Sequence, residues 1–114
     1  MAIRGNERVA WFNGEFMPES QVRIPFRDSS WVYGDGGFDM TRTFNGRVFK
    51  IQEHVERLYR SLKYLRIDPG LSPAQMIEIS EEVSERNRHL LGPGEDHWVG
   101  QRISRGVQRA AGDN

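Results

Sequence analysis

Two Asn-Gly dipeptides, Asn13-Gly14 and Asn45-Gly46, limit what this chain can fold into more than any other feature. A two-residue hairpin turn needs positive φ at both positions, and Asn followed by Gly accepts that most readily. Each dipeptide is flanked by short runs of strand character. Residues 8–12 are apolar and aromatic, and a return strand over 15–17 stops at Pro18. Residues 21–24 are expected to form another extended piece, limited by Pro25. The second turn joins a strand over 38–44 to one over 47–50. Strands joined by tight turns pair antiparallel.

The pattern then changes period. Within 52–66, Val55, Leu58, Leu62 and Leu65 fall at i, i+3, i+7 and i+10, which makes one buried helical stripe. Asp68-Pro69-Gly70 is expected to end that helix. Ser72-Pro73-Ala74-Gln75 opens a second one, with Ser72 as cap, Pro73 in the first turn and Gln75 completing a capping box. This helix is expected to reach about His89 and to stop near Gly92-Pro93-Gly94. A last strand over 97–104 ends at Arg105-Gly106, and residues 110–114 read as a linker or tail. Hairpins, two helices and a strand predict an α+β domain, an antiparallel sheet with two helices on one face.

Composition narrows the function classes. The 114 residues suit one domain, over 1–109. Hydrophobic residues make up 37%, so the core is modest and leans on another domain or subunit. Sixteen basic and sixteen acidic residues balance, which argues against a general electrostatic grip on nucleic acid or an anionic membrane. Without cysteine there is no disulfide, zinc-thiolate site or cysteine nucleophile. His54, His89 and His97 lack metal-binding spacing, and Ser29, Ser30 and Ser61 lack a base with its orienter. The N-terminal residues contain no long apolar run, so no signal peptide is expected. No stretch approaches the roughly 20 apolar residues of a membrane span, and a cytoplasmic address is the expectation.

Two places could carry chemistry. Tyr33-Gly34-Asp35-Gly36-Gly37 has three glycines in four residues, which suits either a wide hairpin connection or a backbone that approaches a ligand. It is not a phosphate-binding P-loop, because no Gly-Lys-Ser/Thr follows and a strand replaces the helix. On the first helix, His54, Arg57 and Ser61 lie on one flank of the apolar stripe. An arginine at the edge of a core binds an oxyanion more strongly than it would in water. The competing reading is a solvated pair of Glu53 with Arg57 at i, i+4, and spacing alone favours that pair.

The combination carries more than its parts. The run from Tyr33-Gly34-Asp35-Gly36-Gly37-Phe38-Asp39 through Asn45-Gly46 resembles the Tyr/Phe-Gly-Asp-Gly-x-Phe-Glu segment of class IV, or fold-type IV, aminotransferases. Glu53-His54-Val55-Glu56-Arg57-Leu58-Tyr59-Arg60-Ser61 resembles that family's Glu-His-x-x-Arg-Leu-x-x-Ser helix. The resemblance implies a two-domain homodimer acting on small molecules, with pyridoxal 5'-phosphate held between a small N-terminal domain and a larger C-terminal one. It implies that Arg57 binds the cofactor phosphate. Tyr33, Phe38 and Arg42 match positions that line or border the substrate pocket, with Arg42 orienting a carboxylate or a pocket tyrosine. The implied reaction is transamination between an amino acid and a 2-oxo acid through pyridoxamine phosphate. Branched-chain substrates come first, D-amino acids or (R)-amines second, and aminodeoxychorismate lyase chemistry third.

This chain departs from the pattern at several points. Asp39 stands where the family has Glu, and Gly100 stands where branched-chain enzymes place an arginine. Arg109 lies one position away from an arginine of the D-amino acid enzymes. The family's Schiff-base lysine lies in the second domain, and neither Lys50 nor Lys63 matches it. The expectation is that this span has no catalytic residue of its own and does not transaminate alone. A rival of another class is a non-catalytic binding module that kept the fold.

Overall fold

The computed structural model describes residues 7–106. The expected tail, the N-terminal residues and Arg109 lie outside the described residues. Strands β1 (Val9–Phe12) and β2 (Glu15–Pro18) form the first hairpin, and Asn13 and Gly14 take φ of 49° and 100°. Strands β3 (Gly36–Phe44) and β4 (Arg47–Val48) form the second, with φ of 52° at Asn45 and 79° at Gly46. Both turns therefore have the geometry that Asn-Gly favours. Strand β5 (Trp98–Ser104) pairs antiparallel with β3, placing Phe38 opposite Arg102, Asp39 opposite Gln101 and Met40 opposite Gly100.

The fold is α+β as expected, but the strands make two sheets. β1 and β2 stand alone, and β4, β3 and β5 form the other, in that order. Helices α2 (Ile51–Leu65) and α3 (Pro73–Arg86) cover one face of the three-stranded sheet. Val55, Leu58 and Leu62 are fully buried, whereas Leu65 is only half-buried. The separate hairpin is held by Asn87, whose side chain accepts from Val9 N–H at 2.7 Å and donates to Val9 C=O at 2.9 Å. A buried amide side chain thus takes the place of a neighbouring strand.

Several boundaries differ from the sequence reading. Residues 21–24 form no strand: Glu19–Gln21 is a 3-10 turn, and Val22 is extended without a strand beside it. A short helix α1 (Ser29–Val32), capped by Asp28, precedes the glycine-rich loop. That loop is therefore not a hairpin connection. Asp68-Pro69-Gly70 does not end α2. Arg66 does, at φ 58°, donating its N–H to Lys63 C=O while Ile67 N–H reaches Leu62 C=O. This is a Schellman closure, and buried Ile67 packs on Leu62 as the motif requires. The capping box at Ser72 and Gln75 forms as expected. Helix α3 ends at Arg86, short of His89, because Asn87 turns its side chain back to Val9.

The glycines have separate duties. Gly34 turns the chain from α1 into β3 at φ 65°. Gly37 lets α2 settle on the sheet, since a Cβ there would lie 3.2 Å from Leu62 Cδ2 and 3.6 Å from Leu58 Cδ1. The close approach made possible at Gly37 is to a helix of this chain.

Candidate functional site

Strand alternation sorts β3 into two faces. Asp39, Thr41 and Thr43 are buried under the helices, while Phe38, Met40, Arg42 and Phe44 point the other way and are exposed. The buried face is polar, so each group needs a partner. Thr41 Oγ1 donates to Phe49 C=O at 2.8 Å. Thr43 Oγ1 donates to Asp96 at 2.7 Å and accepts from His97 N–H at 3.0 Å. Asp39, whose side chain is 4% exposed, meets α2 instead.

There it makes a three-residue cluster. Arg57 Nε donates to Asp39 Oδ2 at 2.9 Å, and Arg57 Nη2 donates to Asp39 Oδ1 at 3.0 Å. His54 Nδ1 lies 2.6 Å from the same Oδ1. A carboxylate only accepts, so Nδ1 carries the proton in this bond. The 3.3 Å approach of Arg57 Nη2 to that nitrogen is then a close contact between two donors. Burial pushes the Asp39 carboxyl up, but the bonds and charges of Arg57 and His54 outweigh it and hold the carboxyl below its ordinary range. The Arg57 guanidinium is held above its ordinary value by the same hydrogen bond and charge. The competing Glu53–Arg57 pair does not form, because Arg57 turns toward the sheet.

The arrangement leaves an unused binding edge. A guanidinium has five N–H groups. Asp39 takes the edge formed by Nε and one Nη2 hydrogen. Both Nη1 hydrogens and the second Nη2 hydrogen have no acceptor among the described residues. The Arg57 side chain is 61% exposed, so this outer edge is open to a ligand. Paired N–H groups of this kind match phosphate or carboxylate.

The other expected site residues lie elsewhere. Phe38 and Arg42 share the open face of β3, opposite in sense to Asp39. Tyr33 closes α1 and is 69% exposed. Arg42 stacks on Phe44 at 4.6 Å from the ring centroid and approaches Asp96 at 3.9 Å. Trp98 sits opposite Arg42 and Gly100 opposite Met40, so Phe38, Met40, Phe44 and Trp98 make an exposed apolar face. The two sets are therefore separated by the thickness of β3. Between Gly36 and Thr41 no described strand pairs with the other edge of β3, which leaves that edge open between them.

The role of Asp39 toward Arg57 was not read from the sequence. The signal was present: a period of two puts Asp39 in register with Thr41 and Thr43, and a buried carboxylate demands a cation. Ser84 Oγ and His97 Nε2 meet at 2.8 Å, which ties α3 to the start of β5. Burial, then the charge of Arg8, lowers the His97 pKa, so the ring is neutral at pH 7. Among the described residues no cluster of His, Asp and Glu could hold a metal, and no helix is long and apolar enough to cross a membrane.

Known proteins share part of this sequence and its fold. The model of the amino-transferase class IV family matches residues 36–102, which span β3 to β5 and include Asp39, His54 and Arg57. A D-alanine aminotransferase of Staphylococcus aureus is 33% identical over 82 residues, covering 72% of this chain and 29% of that protein. A putative branched-chain-amino-acid aminotransferase of Methanocaldococcus jannaschii is 34% identical over 97 residues, covering 85% and 32%. The chain thus spans about a third of these relatives' length. A solved T.th. branched-chain amino acid aminotransferase with pyridoxamine 5'-phosphate is similar in fold, with a TM-score of 0.67 and 22% identity over 86% of this chain and 40% of that one. With the family's model covering more than half of its residues, the chain belongs to the class IV aminotransferases.

Proposed function

We propose that residues 1–109 are the small N-terminal domain of a pyridoxal-phosphate-dependent aminotransferase that moves an amino group between a branched-chain amino acid and a 2-oxo acid. The observation that carries this reading is the outward edge of Arg57, held by Asp39 and left without a protein acceptor. The donor set fits the phosphate of the cofactor, and the solved relative named above contains the phosphorylated cofactor's amine form. When bound, pyridoxal phosphate supplies the electron sink for the reaction.

Arg57 would hold the phosphate through the Nη edge that Asp39 leaves free. Phe38 and Tyr33 shape an apolar wall for the substrate side chain and exclude water from it. Arg42, steadied on Phe44, orients the substrate carboxylate or a pocket tyrosine. The lysine that handles the proton belongs to a second domain, and the exposed face of Phe38, Met40, Phe44 and Trp98 suits burial against that domain or against a second copy in a homodimer. A cytoplasmic enzyme acting on small molecules, without nucleic acid or membrane, is part of the same reading. The identity to a D-alanine aminotransferase supports a second reading, a D-amino acid substrate.

The test is Arg57→Ala in the intact enzyme. Cofactor retention, followed by dialysis and absorbance, is expected to fall by at least tenfold, since a charged hydrogen-bond donor contributes about 1.5–3 kcal/mol. The apo form is expected to lose stability as well, because Asp39 is left buried without its main cation, so affinity is read at a temperature where the variant remains folded. Unchanged cofactor affinity overturns the phosphate assignment. Turnover of L-leucine, L-isoleucine and L-valine against D-alanine separates the two substrate readings.

A further inference from the structure

We infer that Asp39 is a positioning residue for phosphate recognition: it locks the Nε side of the Arg57 guanidinium so that the opposite Nη edge faces the phosphate. The inference rests on the phosphate reading of Arg57 and adds a role that the reading does not require.

Three observations support it. Asp39 is the buried partner and Arg57 the exposed one, so the fixed group orients the mobile group. The two bonds, at 2.9 and 3.0 Å, engage both carboxylate oxygens and two adjacent N–H groups, which sets the guanidinium plane as well as its place. His54 Nδ1–H, at 2.6 Å, holds Oδ1 of the carboxylate in turn. All three side chains come from rigid elements, β3 and α2, whose separation is set by the contact of Gly37 with Leu62. An unheld arginine would lose side-chain freedom on binding phosphate, whereas this one has lost it on folding.

Charge alone predicts the opposite sign. Asp39 cancels one positive charge beside the phosphate, so a purely coulombic site would bind more tightly without it. Orientation and charge can therefore be told apart by the direction of the effect.

The experiment measures dissociation constants of the intact apoenzyme for pyridoxal phosphate and for pyridoxal. The dissociation constant for pyridoxal divided by that for pyridoxal phosphate isolates the phosphate's contribution, and this ratio falls when the phosphorylated form binds less tightly. Asp39→Asn is expected to reduce the ratio about tenfold, through weaker binding of the phosphorylated form only. Asp39→Glu, which keeps the carboxylate, is expected to recover most of it. A ratio that is unchanged or increased in Asp39→Asn overturns the inference, as does an equal loss for both ligands. Arg57→Ala is measured alongside. If that variant leaves the ratio intact, the phosphate reading itself fails. If it collapses the ratio while Asp39→Asn does not, only the positioning role fails.

A second measurement needs no variant. In the wild-type protein, the Arg57 Nε–H resonance is expected to stay protected from exchange when pyridoxal phosphate binds, while the Nη1 protons shift. Release of Nε–H on binding would mean that Asp39 competes with the phosphate, and would overturn the inference.

Discussion

Gly37 sets the distance between α2 and β3, and that distance sets the Asp39–Arg57 contact. Gly37→Ala tests this directly. The new Cβ would lie 3.2 Å from Leu62 Cδ2, a few tenths of an ångström too close, while its 3.6 Å distance from Leu58 Cδ1 is ordinary contact. Crowding of a packed site costs about 1–3 kcal/mol. The φ at Gly37 suits any residue, so alanine also gains about 0.4–1 kcal/mol by narrowing the unfolded ensemble. The expected net loss is about 1 kcal/mol, read from guanidinium titration by linear extrapolation. Leu62→Val removes the clashing Cδ2 and alone costs about 1 kcal/mol. In that background Gly37→Ala is expected to be neutral or stabilising, because the methyl enters the vacated space. The coupling is then about 1–2 kcal/mol, beyond the roughly 0.5 kcal/mol scatter of additive pairs. If Gly37→Ala costs the same in both backgrounds, Leu62 does not set the helix–sheet distance and the reasoning fails.

Arg66→Gly is expected to stabilise the chain by about 1 kcal/mol, because a side chain at φ 58° is strained and the Schellman bonds are backbone bonds; an unchanged denaturation midpoint would refute this. Asn87→Ala is expected to cost about 1–3 kcal/mol, since Val9 N–H and C=O would lose both partners in a buried setting, and hydrogen exchange at Val9 should rise with it. Acid is expected to act in two stages. His97 is kept neutral by burial in the folded chain, so stability falls first as pH drops below about 6.5, where the unfolded histidine takes up its proton. The folded-state pKa values of Asp28 and Asp39 are depressed, so their contribution is complete above about pH 4 and is lost as pH falls further. His97→Gln should flatten the upper stage in stability-versus-pH titrations and Asp39→Asn the lower one.

Local chemistry was legible in the residues. The Asn-Gly turns, the helical stripe as far as Leu62 and the Ser72 capping box each involve neighbours within a few positions and formed as expected, while Leu65 at the end of the stripe is only half-buried. The helix motif around Arg57 and the strand carrying Asp39 were visible too, and with them the family. What failed were inferences in which a distant partner competes with a local one. Arg57 had Glu53 one helical turn away, yet it bonds Asp39, eighteen positions off in sequence. Helix α3 had residues able to continue past Arg86, but Asn87 is claimed by Val9. Gly36 and Gly37 read as loop and are strand: a side chain at Gly37 would meet α2, and one at Gly36 would meet Ser30 and the Ile103 carbonyl of β5.

Sequence alone determined the two hairpins, the two long helices, the last strand, their order and the candidate cation, since turn preference, helical period and capping are properties of adjacent residues. Tertiary structure decided which anion that cation holds, which of its edges is left for a ligand, and that the apolar face of β3 lies opposite the Asp39 side. Those outcomes depend on burial, and burial is decided only when segments far apart in the chain come into contact.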